Sequence, residues 1–231
     1  MRQLAGDLRT IPRTLTLVAV LVGLFGSSPT SAEHAPADIS FPASDGGQIH
    51  GHLYGTGDRA VVLAHGKVFD KESWQPLAER LANAGLLVLA LDFRGYGHSS
   101  PGEAGNRLDL DVLGAIDHLE GRGVSGISLL GASMGGWAVG SAATQVQPGR
   151  LDKVVLLAPA PIENPRAMKA EAFLYIASEG EGSIDRIKRQ YELAPEPKRL
   201  ELLPGTAHAL HVFKTDQATA LTAAIVTEFT R

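Results

Sequence analysis

A serine stands among glycines in the segment Gly131-Ala-Ser-Met-Gly-Gly, directly after the apolar run Ile127–Leu130. This G-x-S-x-G pattern is typical of a buried strand that turns sharply into a helix, because Gly131 and Gly135 leave room for backbone that a side chain would block. Ser133 would then stand at the turn, with its hydroxyl available for nucleophilic attack. A random sequence of this length and composition would contain the G-x-S-x-G pattern about one time in six. The motif therefore has to be interpreted together with the rest of the sequence.

A serine hydroxyl is a weak nucleophile at neutral pH, so it needs a base to take its proton and a third group to orient that base. His208 lies in a turn-forming segment after the last predicted strand, and His211 is the alternative base. Glu181 follows another predicted strand, and its carboxylate could accept a hydrogen bond from the imidazole; Asp185 and Glu163 are competing acids. The predicted catalytic residues are, in chain order, Ser133, Glu181 and His208.

With these residues in this order, the sequence resembles the α/β-hydrolase family over about residues 38–229. Members of that family carry a catalytic triad on loops at the carboxyl ends of parallel strands. Two features depart from the family pattern. Glu181 stands where the family more often has aspartate, and only 13 residues, 159–171, separate two predicted strands where many members insert a helical lid. The resemblance therefore implies a lidless hydrolase with an open, shallow site.

A second motif, His65-Gly66-Lys67, follows the third predicted strand and resembles the family's His-Gly turn. The resemblance implies that the backbone N–H groups of Lys67 and of Met134, the residue after the nucleophile, bind the oxyanion of the reaction. Their side chains then carry little information, because only the backbone acts. We interpret His65 as a structural histidine whose ring bonds to nearby loops. The segment 92–99 resembles the family's Gly-rich segment, and we interpret it as structural as well.

Short apolar runs alternate with longer segments of helical period, which indicates an α/β fold: a three-layer α/β/α sandwich with a mostly parallel sheet of about eight strands. The predicted strands are Ile39–Phe41, Gln48–Tyr54, Ala60–Ala64, Leu86–Leu91, Gly126–Leu130, Lys153–Ala158, Ala172–Ala177 and Arg199–Leu203. The predicted helices are Ser73–Ala84, Arg107–Glu120, Met134–Gln145 and Thr215–Phe229. We expect Ser73 to cap the first helix, Gly85 to end it and Trp74 to pack in the core.

The first 32 residues are typical of a secretory signal peptide, which leaves residues 33–231 as the predicted hydrolase domain. Three arginines precede an uncharged apolar stretch at 15–25 that is too short to span a bilayer, and small residues at 30–32 offer a cleavage site. We therefore expect an exported protein, periplasmic or extracellular, without stable membrane association after cleavage. The alternative is an uncleaved N-terminal segment that anchors the chain to a membrane.

Composition argues against several other classes of protein. Residues 33–231 carry 18 Lys and Arg against 24 Asp and Glu, without a basic cluster, so a nucleic acid partner is not expected. The chain has no cysteine, which excludes disulfides, thiolate catalysis and cysteine zinc sites. His50 and His52 stand two apart on a strand, but no third ligand has an obvious spacing, so neither a metal nor another cofactor is expected. The oligomeric state is left open.

The sequence thus predicts a serine hydrolase that cleaves ester-like acyl bonds of a small-molecule substrate through an acyl-enzyme intermediate. A thioesterase or a small peptidase would use the same triad, because the triad does not specify the leaving group. A non-catalytic binding protein with the same fold is the alternative from another class.

Overall fold

Eight strands form one sheet in the computed structural model, which describes residues 35–231. The strands are β1 (Ala37–Pro42), β2 (Gln48–Tyr54), β3 (Arg59–Ala64), β4 (Leu87–Leu91), β5 (Gly126–Ala132), β6 (Lys153–Leu157), β7 (Ala172–Ser178) and β8 (Lys198–Leu203). Their order across the sheet is β1-β2-β4-β3-β5-β6-β7-β8. β2 runs antiparallel to β1 and β4, whereas all other neighbours are parallel. The predicted α/β fold with a mostly parallel sheet is confirmed.

Helices connect the parallel strands and cover the sheet, because a parallel connection has to cross over one of its faces. In the described part of the chain they are α1 (Gln75–Asn83), α2 (Leu108–Gly121), α3 (Met134–Gln145), α4 (Ile184–Leu193) and α5 (Ala218–Thr230). Short 3₁₀ turns occupy Lys71–Trp74, Pro165–Ala167 and Ala209–Lys214. The last of these turns delays α5, which begins at Ala218 and not at the predicted Thr215.

The predicted N-cap of the first helix is wrong. Asp70 is the capping residue: its carboxylate accepts the Ser73 N–H at 3.0 Å, and Ser73 Oγ in turn accepts the Asp70 N–H at 3.3 Å. This reciprocal capping box closes a 3₁₀ turn, and α1 begins only after it, at Gln75. Aspartate and serine cap helices equally well, so the local sequence does not distinguish the two positions. The predicted stop is confirmed, since Gly85 follows the helix with a φ of 89°.

The central parallel strands are buried on both faces, which explains their continuous apolar runs. Every residue of β4 is at most 5 % exposed. Trp74 is fully buried and meets the ring of Phe213 edge to face, with the centroids 6.2 Å apart, so it packs in the core as predicted. The buried sheet gives the loops at its carboxyl edge a rigid support.

The connection between β6 and β7 is short, and its only regular element is the 3₁₀ turn Pro165–Ala167, so residues 35–231 include no lid domain. None of the helices in this part of the chain has both the length and the apolar character that crossing a membrane requires. The predicted signal peptide, residues 1–32, lies outside the described residues. Its cleavage, the boundary at residue 33 and export of the protein stay predictions.

Two buried ion-pair clusters hold the loop that follows β4. Lys71 Nζ lies 2.7 Å from Asp92 Oδ2, and the backbone N–H of Lys71 donates to the other oxygen of that carboxylate at 2.9 Å. The Arg94 guanidinium lies 2.7 Å from the carboxylates of both Asp45 and Asp111. Its hydrogen bonds lower the pKa of Asp45 to about 2. Buried charges are tolerated when they are paired in this way, so the loop has the structural role that the sequence predicts for it.

Candidate active site

Three loops bring the predicted catalytic side chains to one edge of the sheet. Ser133 follows β5, Glu181 follows β7 and His208 follows β8. These strands belong to the parallel part of the sheet, so their carboxyl ends lie at the same edge. The sheet thus unites residues up to 75 positions apart in the sequence.

Ser133 stands at the turn between β5 and α3, with a φ of 51° and a ψ of −109°. A positive φ is uncommon for a residue with a side chain and stores backbone strain, which the surrounding structure has to hold in place. The Ser133 N–H donates to the Leu157 carbonyl at 3.0 Å, and the Ser133 carbonyl accepts from the N–H groups of Ala160 at 2.8 Å and Trp137 at 3.1 Å. The structure therefore has the strand, turn and helix that the motif predicts.

Neighbouring glycines make this turn possible. A Cβ atom added at Gly131 would clash with the carbonyl of Gly135, and one added at Gly135 would clash with the carbonyl of Ala64 on β3. At Gly136 it would lie only 2.8 Å from the Cα of Pro159. The first turn of α3 therefore packs against neighbouring backbone more closely than a side chain allows.

Gly135→Ala is expected to lower the free energy of unfolding by about 3 kcal/mol or more, because the added methyl group meets backbone that has no room to shift. The measurement is denaturant-induced unfolding. Gly121→Ala is the matched control, since Gly121 also lies in a helix but has open space around its Cβ position, and it should change the stability by less than about 1 kcal/mol. Equal stability of the two variants would contradict the packing argument.

The side chains of Ser133, His208 and Glu181 form one hydrogen-bonded chain. His208 Nε2 lies 2.8 Å from Ser133 Oγ, and His208 Nδ1 lies 3.3 Å from each oxygen of the Glu181 carboxylate. The carboxylate is an acceptor, so Nδ1 carries the proton and the lone pair of Nε2 faces the serine hydroxyl. The Glu181 side chain is 1 % exposed and that of His208 41 %. The carboxylate is thus shielded from water, while the imidazole is open to solvent.

The segments that carry Glu181 and His208 are hydrogen-bonded to each other. Ser178 Oγ donates to the Ala207 carbonyl at 2.6 Å, immediately before His208. The Gly180 N–H donates to the Gly205 carbonyl at 2.9 Å. The spacing between carboxylate and imidazole is therefore set by direct contacts between the two loops.

The competing candidates do not join this chain. Asp185 and Glu163 are both exposed, and neither forms a hydrogen bond to His208 within residues 35–231. The ring of His211 packs against Phe69 with the centroids 5.0 Å apart. Of the alternatives left open by the sequence, the geometry favours Glu181 as the acid and His208 as the base.

Two backbone N–H groups near Ser133 have no hydrogen-bond partner in the part of the chain that the structure describes. Within residues 35–231, the N–H groups of Lys67 and Met134 donate no hydrogen bond to another backbone or side-chain group. Met134 follows Ser133 directly, and a Cβ atom built at Gly66 would lie 3.7 Å from the Cβ of Ser133. Unpaired donors next to a serine are the arrangement that binding of an oxyanion requires.

His65 holds the peptide group that includes the Lys67 N–H. The carbonyl of that peptide belongs to Gly66 and accepts from His65 Nδ1 at 2.9 Å and from the Phe69 N–H at 3.0 Å. A trans peptide directs its N–H away from its carbonyl, so these bonds fix the direction of the Lys67 N–H. The Phe93 N–H donates to His65 Nε2 at 3.2 Å, and burial lowers the pKa of His65, so the ring is neutral with its proton on Nδ1. The structural interpretation of His65 is confirmed.

Tyr96 contacts both residues that carry the free N–H groups. Its hydroxyl donates to the Lys67 carbonyl at 2.8 Å and lies 3.8 Å from Met134 Sδ. Its ring meets that of His65 edge to face, with the centroids 4.6 Å apart. Burial raises the pKa of Tyr96, which keeps the hydroxyl protonated as a donor. Sequence reasoning missed this residue, because a bond to a carbonyl 29 positions away leaves no local pattern.

The two histidines of β2 take part in other contacts. His52 Nε2 lies 3.0 Å from the carboxylate of Asp38, and the His50 ring packs against that of His98. No group of three or more His, Cys, Asp or Glu side chains within residues 35–231 is arranged to hold a metal ion.

A family model described as serine aminopeptidase, S33, matches residues 55–179. The match includes Lys67 and Ser133 but ends before Glu181. The non-heme chloroperoxidase CPO-A1 of Kitasatospora aureofaciens is 31 % identical over 135 residues, which cover 56 % of this chain and 49 % of that protein. The human serine hydrolase BPHL is 34 % identical over 136 residues, covering 57 % and 44 %. The chain thus spans about half the length of the curated relatives it matches.

The fold is similar to that of the esterase Pf2001 from Pyrococcus furiosus, with a TM-score of 0.71 and coverage of 83 % of this chain and 90 % of that one. The two sequences are only 17 % identical, so this likeness shows the fold alone. The family model, in contrast, matches more than half of the sequence. The chain therefore belongs to the serine aminopeptidase (S33) family of the α/β hydrolases.

Proposed function

We propose that this α/β hydrolase cleaves ester bonds through a covalent acyl-serine intermediate. The observation that carries the proposal is the distance of 2.8 Å between Ser133 Oγ and His208 Nε2, in a ring whose other nitrogen lies 3.3 Å from the buried Glu181 carboxylate. The human relative is a serine hydrolase by name, which supports the use of a serine nucleophile.

In the proposed reaction, Ser133 Oγ attacks the carbonyl carbon of the ester while His208 Nε2 takes the hydroxyl proton. The negative charge that develops on the carbonyl oxygen is held by the backbone N–H groups of Lys67 and Met134. His208 then gives its proton to the leaving alcohol, and the acyl group stays on Ser133. A water molecule, deprotonated by the same imidazole, releases the acid and restores the serine. Glu181 stabilises the imidazolium that forms in both steps.

The absence of a lid domain from residues 35–231 bears on the substrate. The β6–β7 connection leaves the site open, and 41 % of the His208 side chain is exposed. An open site has few surfaces that would bury a long acyl chain. We therefore propose a small substrate, or an ester group exposed on a larger molecule.

A peptidase is the second candidate, and the description of the matching family model as a serine aminopeptidase favours it. The triad would attack an amide carbonyl in the same way, and a thioester as well. Hydrolysis of an ester, a thioester and an amide with the same acyl group separates these activities. We expect the largest kcat/KM for the ester.

Labelling by a fluorophosphonate tests whether the protein is a serine enzyme at all. We expect one covalent adduct per chain, located at Ser133 by peptide mass spectrometry, because the reagent reacts with an activated serine. If the correctly folded protein is not labelled at Ser133, this result excludes the proposed serine mechanism and favours a non-catalytic binding protein. A labelled protein that cleaves the amide faster than the ester would favour the peptidase.

A further inference from the structure

We propose that the site prefers esters that carry a carboxylate a few bonds away from the scissile carbonyl; this inference rests on the proposed ester hydrolysis at Ser133. It follows from one side of the site, which we call the cationic rim and define by Lys67, Val68, Phe69 and Lys214. The rim combines an apolar surface with two ammonium groups.

The first part of the rim is a tight turn beside the nucleophile. The Phe69 N–H donates to the Gly66 carbonyl at 3.0 Å, which makes Lys67 and Val68 the central residues of the turn. Both are exposed, and Val68 is 76 % exposed, an unusual value for a large apolar residue in this protein. A Cβ built at Gly66 would lie 3.5 Å from Phe69 Cδ2 and 3.7 Å from Ser133 Cβ. The Phe69 ring and Ser133 therefore both lie close to Gly66, at the start of this turn.

The second part of the rim follows the catalytic base. The 3₁₀ turn Ala209–Lys214 begins directly after His208, and the His211 N–H donates to the His208 carbonyl at 3.0 Å. Lys214 Nζ lies 5.8 Å from the centroid of the Phe69 ring, within the range of a cation–π contact. The Phe69 ring thus links Lys214 to the turn that contains Lys67, so the two lysines belong to neighbouring segments.

Neither ammonium group of the rim is neutralised by an ion pair within residues 35–231, whereas Lys71 and Arg94 are both paired. Asp70 is the acid next to the turn, and its carboxylate accepts the N–H and the hydroxyl of Ser73 at 3.0 and 2.6 Å. Asp216, near Lys214 in the sequence, is exposed and forms no ion pair in the same part of the chain.

Lys67 and Lys214 are exposed cations on a chain whose formal net charge is −4. Unpaired charges at a site attract a substrate of opposite charge. Lysine is a compact point charge on a flexible stem and does not impose the two-pronged geometry of an arginine. Two flexible ammonium groups near the Phe69 ring therefore fit a short apolar chain that ends in a single carboxylate, with some freedom in chain length.

Matched esters test the proposal on both sides of the scissile bond. Mono-4-nitrophenyl adipate, with a carboxylate on the acyl chain, is compared with its neutral methyl ester by release of nitrophenol. 4-Acetoxybenzoate, with a carboxylate on the leaving group, is compared with its methyl ester by release of 4-hydroxybenzoate or of methyl 4-hydroxybenzoate. We expect kcat/KM to favour at least one charged ester by about fivefold near 0.02 M salt, and the advantage to disappear near 0.5 M as the charges are screened.

For each variant we compare the ratio of kcat/KM for the charged ester to kcat/KM for the neutral ester. A uniform loss of activity leaves this ratio unchanged. Lys67→Gln and Lys214→Gln should each reduce this ratio about two- to threefold, whereas Lys214→Arg should retain it. Lys188→Gln is the control, because Lys188 is an exposed lysine on α4 that is outside the rim. It should leave the ratio unchanged.

The proposal is supported if charged esters are preferred and if this preference depends on salt and on the two rim lysines. Which of the two charged esters is preferred then shows whether the carboxylate belongs to the acyl chain or to the leaving group. If a Ser133-dependent reaction hydrolyses charged and neutral esters equally well, the proposed preference for a carboxylate is wrong, whereas the proposed ester hydrolysis still stands. Absence of Ser133-dependent hydrolysis of every ester would overturn both.

Discussion

Ser133→Ala is expected to reduce kcat/KM for ester hydrolysis on the order of 10⁴-fold or more. The variant lacks the proposed nucleophile, and no other hydroxyl within residues 35–231 lies within hydrogen-bonding distance of His208 Nε2. Residual activity above the uncatalysed rate would come from the two backbone N–H groups and from substrate binding. Steady-state rates with a chromogenic ester, together with loss of fluorophosphonate labelling, measure the effect.

Ser141→Ala is the matched control for this experiment, because Ser141 lies on the same helix, α3, but forms no contact with His208. It should retain the activity of the unsubstituted protein. Thermal unfolding of both variants checks that any loss is chemical and not a loss of fold. Activity of Ser133→Ala within tenfold of the original, in a folded sample, would be incompatible with the proposed nucleophile.

Glu181→Gln is expected to reduce kcat by about 10²- to 10⁴-fold with little change in KM. A glutamine amide can donate its N–H to His208 Nδ1, which would place the imidazole proton on Nε2, where it faces Ser133 Oγ. That tautomer is unable to take the serine proton, even though the side chain has almost the same shape. Stopped-flow or steady-state kinetics with a good ester substrate measure the loss.

Asp185→Asn and Glu163→Gln are the comparison variants for Glu181→Gln, because the sequence alone allows any of these three carboxylates to be the partner of the histidine. Both side chains are exposed and form no hydrogen bond to His208 within residues 35–231, so each variant should keep kcat within about twofold. If either one loses more activity than Glu181→Gln, the assignment of the acid is wrong.

The arrangement of the site follows from chain order and sheet topology more than from local motifs. Parallel strands place their carboxyl ends at one edge, so the positions of Ser133, Glu181 and His208 after three predicted strands already indicate that they meet. The sequence leaves the acid open because two loop carboxylates and one helix carboxylate are chemically equivalent. Burial of Glu181, a tertiary property, distinguishes it from the others.

The parts that the sequence does not predict depend on contacts between distant segments. The start of α1 is displaced by a 3₁₀ turn whose first residue, Lys71, bonds to Asp92 through both its backbone and its side chain. The role of Tyr96 depends on a hydrogen bond to the carbonyl of Lys67 on another loop. Neither contact has a signal in the local pattern of polar and apolar residues, because each depends on how two loops meet after the sheet has formed.

Hydrogen bonds join the segments that follow β7 and β8, so the site consists of two parts that are held separately. We expect Glu181 and His208 to move together, because their segments are joined through Ser178 and Gly180, whereas Ser133 belongs to the backbone between β5 and α3. Small movements of one part against the other leave the carboxylate–imidazole contact intact and change mainly the distance between Ser133 Oγ and His208 Nε2. We therefore expect warming to lengthen this distance before the sheet unfolds.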